Sequence, residues 1–404
     1  MSNNSRAESL HFCVAGKNSI ALFTLNLLRE KYPNAVIEVL FNRNDHGFDT
    51  WQPSFKKYAE TLGYQETTIE SLYTKEKLIF LSVEFDRIIN PEKFSSSNLF
   101  NIHFSLLPAY KGMYTSAWPL INGEKFSGVT LHEIDAGIDT GDVVDQRRFE
   151  IPVTWNGLNL YEKYLLTAED LLRENIDSLV SGEYSAVPQS QLGSTYYSSQ
   201  SINYSNIEIN LKHTAFEISN LVRAFCFRHF QLPRIHGKPI SDWKITEKKS
   251  TSKPGTLVTS TDFSITISTI DYDLVLGIDP YELLWEWSEN KQNGYSLAQF
   301  LDLGINLETQ NSSGWTALMI AAFNGNFSQV EALCSAGANL NATNYKGTTV
   351  LMYAFSHYEA TQDPQIFKFL IKNGADYFAK DIAGKTIEDY AYERQNQELL
   401  KLLR

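Results

Sequence analysis

Cysteine is scarce and scattered. Cys13, Cys226 and Cys334 are the three in 404 residues, with neither the close spacing of a metal-binding pair nor a disulfide framework. They are expected to be small buried apolar side chains, and no metal is implied. No stretch approaches the roughly 18 consecutive apolar residues of a membrane span. The N-terminal "MSNNSRAESLHFCVAGKNS" lacks the long apolar core that follows a basic start in a secretory leader. The expectation is a cytoplasmic protein with no membrane partner. Positive charge is also in deficit. Lys and Arg number 35 against 47 Asp and Glu, a formal net charge of −12, which disfavours a nucleic acid held by phosphate neutralisation. A small anionic ligand needs only a few local cations and is not excluded.

What is present divides into three segments. From Leu10 to about Asn101 the short apolar runs "LHFCVAG", "AVIEVLF", "KLIFLSV" and "LFNIHFS" alternate with helical patterns such as "IALFTLNLLREKY". That is the βαβ alternation of a mainly parallel sheet. The first run ends in "AGKNS", so Gly16, Lys17, Asn18 and Ser19 form a strand-to-helix turn of the kind that aims backbone N–H groups at anions. The middle segment holds a helical stretch, "GLNLYEKYLLTAEDLLRENIDSLVSG". It ends in alternating runs around the Pro254-Gly255 turn, which predict a small antiparallel sheet. After Pro280 the texture is helical and repeats. Gly314 and Gly347 stand 33 residues apart, and Gly384 follows 37 later, after the extra residues of "HYEATQDPQ". This is the ankyrin period, and "GWTALMIAA" and "LIKNGAD" resemble ankyrin repeats. The expected division is 1–185, 186–280 and 281–404.

The window "NIHFSLLPAYKGMYTSAWPLINGEKFSGVTLHEIDAGIDTGD", residues 101–142, concentrates the candidate chemistry. Strand alternation puts Asn101 and His103 on one face, two residues apart. Gly137 and Gly141 bracket Asp139 in a turn that can approach them. Taken singly, each of these residues reads as well as a strand-end or turn cap.

As a set they carry a resemblance. "NIHFSLLP" and "GIDTGD" resemble the Asn-x-His segment and the Asp loop of the formyltransferases that use 10-formyltetrahydrofolate, with His and Asp 36 positions apart, and "VRAFCFRHFQLPRIHGKPISDWKI" resembles the start of their C-terminal domain. The resemblance implies a Rossmann-like α/β formyltransferase domain with a mainly parallel sheet, a small antiparallel β domain, and here a C-terminal all-α ankyrin repeat domain. It implies Asn101, His103 and Asp139 as catalytic residues, 10-formyltetrahydrofolate as co-substrate, and no metal. The chemistry suits them. An amide donor stabilises the formyl oxygen as it gains negative charge, an imidazole takes the amine's proton, and a carboxylate orients that imidazole and favours its protonated form.

The wording around "HFSLLPAYKGMYTSAWPLING" resembles the sugar N-formyltransferases, which implies a dTDP-linked amino-dideoxyhexose as acceptor, in O-antigen or surface polysaccharide synthesis; the 3-amino sugar is favoured over the 4-amino sugar only because the ankyrin-like domain sets this chain apart from the simplest members. Leu81, Ser82, Val83 and Glu84 are expected against the co-substrate. For the nucleotide sugar the candidates are Lys17, Asn18, Lys75, Lys77 and Lys111 at the pyrophosphate and Phe225, Phe227, His229 and Phe230 at the base. Each is as readily a solvated lysine or a core aromatic. Trp285, Trp287, Trp315, Phe323, Tyr345, Tyr353 and Tyr358 suggest a second nucleotide-sugar site on the repeats, alongside the ordinary expectation of protein binding or support of a homodimer. Two other readings stay open: an interaction protein with a non-catalytic formyltransferase scaffold, and hydrolysis of the co-substrate.

Overall fold

The computed structural model describes residues 10–291 and 294–403. Residues 1–9, which open the stretch read as lacking a secretory leader, lie outside the described residues. Two compact units form. One comprises residues up to 48, 52–227 and 269–272; the other comprises 49–51, 228–268 and 273–404. Residues 228–268, expected to go with the formyltransferase, thus share a unit with the repeats.

The strands are β1 (His11–Gly16), β2 (Val36–Phe41), β3 (Leu78–Val83), β4 (Leu99–His103), β5 (Lys111–Gly112), β6 (Phe126–Glu133), β7 (Val143–Glu150), β8 (Tyr196–Tyr197), β9 (Arg234–Ile235), β10 (Lys238–Lys249), β11 (Leu257–Ser260), β12 (Ser264–Ile267) and β13 (Tyr272–Ile278). The main sheet of the first unit runs β2-β1-β3-β4-β6-β7. Its β2-β1-β3-β4 portion is parallel, and β6 and β7 add antiparallel. The four apolar runs of the sequence are the four parallel strands: β1, β3 and β4 are buried almost throughout, as interior parallel strands require, and the edge strand β2 is buried over its second half.

Helices cover those faces. Phe100, Ile102, Leu81 and Val83 enter a core shared with the helices Asn18–Lys31 and Gly157–Ser181, while Leu99, Phe80 and Leu78 enter a second core on the other face. The long helix Gly157–Ser181 starts at a reciprocal cap between Asn156 and Asn159, which satisfies two N–H groups the helix cannot pair itself. Chain order reverses between β1 and β3, one strand leading to β2 on one side and the other to β4. That is the switch point at which doubly wound sheets open a ligand crevice outside their carboxyl ends.

In the second unit a five-stranded sheet, β11-β12-β13-β10-β9, precedes helix pairs. Ala317–Phe323 is followed by Phe327–Ser335, Val350–Thr361 by Gln365–Lys372, and Ile387–Glu393 by Gln397–Leu402. Among the described residues no helix is long and apolar enough to cross a membrane.

Candidate active site

Asn101 and His103 lie on the same face of β4, their neighbours Phe100, Ile102 and Phe104 turned into the core. Asp139 comes from the loop between β6 and β7 and adopts a left-handed φ of 53°. Its Oδ2 accepts the Gly112 N–H at 2.8 Å and stands 3.4 Å from His103 Nδ1. Its Oδ1 accepts from Asn101 Nδ2 at 3.3 Å. Gln189 Nε2 ties the loop down by donating to the carbonyls of Asp139 and Gly141. Two glycines are obligatory. At Gly112, φ is +86° and a Cβ would stand 2.2 Å from the Tyr197 carbonyl oxygen; at Gly141 a Cβ would stand 1.9 Å from the Glu133 carbonyl oxygen.

His103 is 7% exposed, and its Nε2–H donates to the Tyr110 carbonyl at 2.8 Å. The lone pair is therefore on Nδ1, facing Asp139. Burial pushes the imidazole below its ordinary value, against the opposing pull of Asp139 and the Tyr110 carbonyl. For Asp139, burial pushes upward, yet His103, His132 and the Gly112 N–H together hold the carboxyl at about 2. At neutral pH the pair is thus a neutral imidazole beside a carboxylate: a base whose protonated form already has its counter-ion.

A fourth residue, His132, completes the set and was missed in the sequence. Its Nδ1–H donates to the Glu133 carbonyl, so its Nε2 accepts from Asn101 Nδ2 at 3.1 Å. His132 Nε2 and Asp139 Oδ1 are 3.6 Å apart. With Asn101 Nδ2 at 3.1 and 3.3 Å from them, they subtend roughly 70° at that nitrogen, well under the roughly 120° between amide hydrogens. The two hydrogens can thus serve the two acceptors, each bond bent by roughly 25°. Only the β4–β6 register, Asn101 opposite His132, reveals this, and a single sequence does not give register.

The remaining candidates scatter. Leu81 and Val83 have their side chains in the core; Ser82 is opposite Asn101 in the β3–β4 register. Glu84 turns with φ +57°; its Oε2 accepts from Tyr161 Oη at 2.8 Å and Asn18 Nδ2 at 3.4 Å. Lys17 precedes the helix Asn18–Lys31 and its charge acts on Glu84. Lys111, 8% exposed, acts likewise on His103. Lys75 and Lys77 are not brought to the site. They precede β3 at its amino end, where Lys75 pairs with Glu38 at 3.1 Å. Six strand residues at about 3.3 Å each separate that end from Glu84, on the order of 20 Å. Phe225 and Phe227 are buried, Phe227 5.9 Å from the Tyr161 ring. In the second unit His229 stacks on Trp51, ring centroids 4.6 Å apart, and Phe230 meets Trp51 edge-on. Trp51 carried no sequence signal. Among the repeat aromatics, Trp315, Phe323 and Tyr353 form one cluster, with Tyr353 buried and Phe323 43% exposed; Trp285 and Tyr358 are buried.

Comparison with known proteins identifies the family. Residues 40–175 match the formyl transferase family and residues 288–381 match ankyrin repeats in three copies. An N-formyltransferase from Helicobacter canadensis, solved with folinic acid and dTDP-3-aminofucose, is 39% identical, with a TM-score of 0.63 over 67% of this chain and 100% of that one. A sugar 3N-formyl transferase solved in the presence of dTDP and 5-N-formyl-THF is 38% identical, with a TM-score of 0.62 over 67% of this chain and 97% of that one. Among curated proteins, the methionyl-tRNA formyltransferase of Synechococcus sp. is 31% identical over 196 residues, 47% of this chain and 58% of that protein. The Clostridium beijerinckii enzyme of the same name is 31% identical over 198 residues, 47% of this chain and 62% of that protein. The chain therefore spans about three fifths of the length of these two curated relatives. The solved structures are matched over nearly their whole length, and on that ground the chain belongs to the N-formyltransferase family and carries ankyrin repeats in addition.

Proposed function

We propose that the protein transfers the formyl group of 10-formyltetrahydrofolate to the amino group of a dTDP-linked amino-dideoxyhexose, the 3-amino-3,6-dideoxyhexose being favoured, in the cytoplasmic synthesis of O-antigen or another surface polysaccharide. The observation that carries this reading is the assembled set of Asn101, His103 and Asp139 in a chain nearly 40% identical to two solved enzymes. One of those holds dTDP-3-aminofucose and the other was solved with dTDP.

The donors and acceptors of the site fit that chemistry. When bound, the co-substrate supplies a formyl carbon activated for attack. Ser82 and the backbone of Leu81, Val83 and Glu84, one strand over from Asn101, are the groups that would hold it. Asn101 is the amide donor: its Nδ2 trades one of its present acceptors, His132 Nε2 or Asp139 Oδ1, for the formyl oxygen and stabilises charge there. The acceptor's amine gives its proton to His103 Nδ1, the nitrogen left basic by the Nε2–H bond to Tyr110. The arriving proton lies between Nδ1 and Asp139 Oδ2, where the carboxylate stabilises it. On the acceptor side, Lys17 and the amino end of the helix Asn18–Lys31 suit the pyrophosphate. Lys111 adds positive charge near His103. In the first unit, Phe225 and Phe227 are the aromatic candidates for the base. On the repeats, the partly exposed Trp315, Phe323 and Tyr353 cluster supports a second nucleotide-sugar site, and protein binding or support of a homodimer is the alternative use.

The curated relatives favour a second reading, aminoacyl-tRNA as acceptor. The net charge of −12 opposes it, since tRNA calls for a basic surface. Incubation with 10-formyltetrahydrofolate and a panel of dTDP-3-amino and dTDP-4-amino sugars beside methionyl-tRNA, with products resolved by mass, decides between them. Gain of the formyl mass by a dTDP-sugar supports the proposal; gain by methionyl-tRNA alone overturns it.

A further inference from the structure

At the β1/β3 switch point stands a polar cluster that the formyl-transfer chemistry does not use. Asn18, just past β1, and Glu84, just past β3, both adopt left-handed backbones with φ of 57°, and their side chains meet. Left-handed conformations at residues other than glycine are strained, and such strain collects at ligand clamps. The turn at Glu84 sends its carboxylate toward the helices Asn18–Lys31 and Gly157–Ser181, where Tyr161 Oη donates to Oε2 at 2.8 Å and Gln52 Nε2 donates in turn to Tyr161 Oη at 3.0 Å. Asn42, just past β2, fixes the Glu84 carbonyl at 2.8 Å. Three parallel strands thus each end in a residue of one network. The carboxylate is buried, which pushes its pKa upward, and the Tyr161 and Asn18 hydrogen bonds with the Lys17 charge act to keep it ionised.

Glu84 follows Val83, the last β3 residue paired with β4, so it stands at the carboxyl end of the sheet, the end at which His103 closes β4. Two donors already occupy Oε2, whereas among the described residues nothing donates to Oε1. A single open carboxylate oxygen suits one O–H donor. It does not suit the paired N–H groups of a pterin edge, which call for both oxygens. Nor does it suit the reacting amine, because a carboxylate there would keep that amine protonated.

We propose that Glu84 is a specificity-determining residue for the acceptor: Oε1 takes a hydrogen bond from a hydroxyl next to the amine-bearing carbon of the sugar, and Asn18, Tyr161 and Gln52 hold the carboxylate in place to receive it. This rests on the reading of the protein as a sugar N-formyltransferase. It moves the Glu84 side chain from the co-substrate pocket to the acceptor pocket.

The test compares Glu84→Gln with wild type on dTDP-3-amino-3,6-dideoxyhexose and on its analogues lacking the hydroxyl at C2 or at C4. Loss of a charge-assisted hydrogen bond is expected to lower kcat/KM about 10- to 100-fold on the hydroxylated acceptor. One of the two deoxy analogues should show the same deficit already with wild type and little further loss with Glu84→Gln. KM for 10-formyltetrahydrofolate should not move. Tyr161→Phe, which loosens the carboxylate and leaves it charged, should give the same acceptor-dependent pattern at smaller amplitude and serves if Glu84→Gln fails to fold. A deficit equal on all three acceptors, or a raised KM for the formyl donor, overturns the inference. If wild type turns over the series and the variants show no acceptor dependence, this inference alone falls; if wild type formylates none of them, the reading it rests on falls and takes it along.

Discussion

Replacing Asp139 by Asn removes one negative charge from a site whose geometry fixes what that charge does. The carboxylate stands 3.4 Å from His103 Nδ1. At an effective dielectric of about 20, a full charge pair at that distance is worth roughly 5 kcal/mol. If about half a proton's charge has formed on the imidazole at the transition state, the lost stabilisation is roughly 2.4 kcal/mol, or about 60-fold in turnover. The amide is close to isosteric. Its oxygen still accepts the Gly112 N–H and its NH2 can donate to His132 Nε2, at the loss of the bond from Asn101 Nδ2, and Gln189 still ties the loop down, so the loop is expected to stay folded. The pH dependence carries the sharper signature. His103 acts as a base only when neutral, so activity rises as pH passes its pKa, which burial already places below the ordinary 6.5. Asp139 is a group pulling that pKa upward, so Asp139→Asn should shift the acidic limb of the pH–rate profile further down while lowering its plateau. Steady-state rates from pH 4 to 9 at saturating substrates, with circular dichroism as a folding control, read both effects. A plateau within a few-fold of wild type together with an unmoved limb would refute the coupling.

His103→Asn is expected to lower turnover about a hundredfold or more with an unchanged thermal midpoint; turnover within a few-fold of wild type removes its role as base. Gly112→Ala should destabilise by about 1–3 kcal/mol, because φ is +86° and the new methyl would meet the Tyr197 carbonyl at 2.2 Å; urea unfolding measures it, and a midpoint equal to wild type contradicts the geometry. Lys75→Ala should leave the kinetics of both substrates within about twofold, since the lysine is paired with Glu38 at the far end of β3; a raised KM for the nucleotide sugar would return it to the site.

The parallel strands were legible because the interior ones are buried and so appear as short, mostly apolar runs between helical patterns. Asn101, His103 and Asp139 were legible because two of them share one strand face and the third sits between glycines in a tight loop. His132 was not, since it meets Asn101 only through the β4–β6 register. The Glu84 network escaped for a similar reason: Asn18, Gln52 and Tyr161 come from a turn, a loop and a helix spread over more than 140 positions, and nothing local in the chain links them. Lys75 and Lys77 show the converse error. A lysine's charge is visible in a sequence, but which end of a buried strand it occupies depends on chain direction within the sheet, and both fall at the end away from the catalytic base.

On the proposed function, His103 and its partners move a formyl group onto an amine of a nucleotide sugar. The most direct measurement is the stoichiometry of tetrahydrofolate released against formylated dTDP-amino-sugar formed, followed by mass in the presence and absence of acceptor. One formylated sugar for each tetrahydrofolate, with release stopping when the acceptor is left out, is the predicted result. Formate and tetrahydrofolate appearing at the same rate without acceptor would contradict it and identify water as the group that His103 serves.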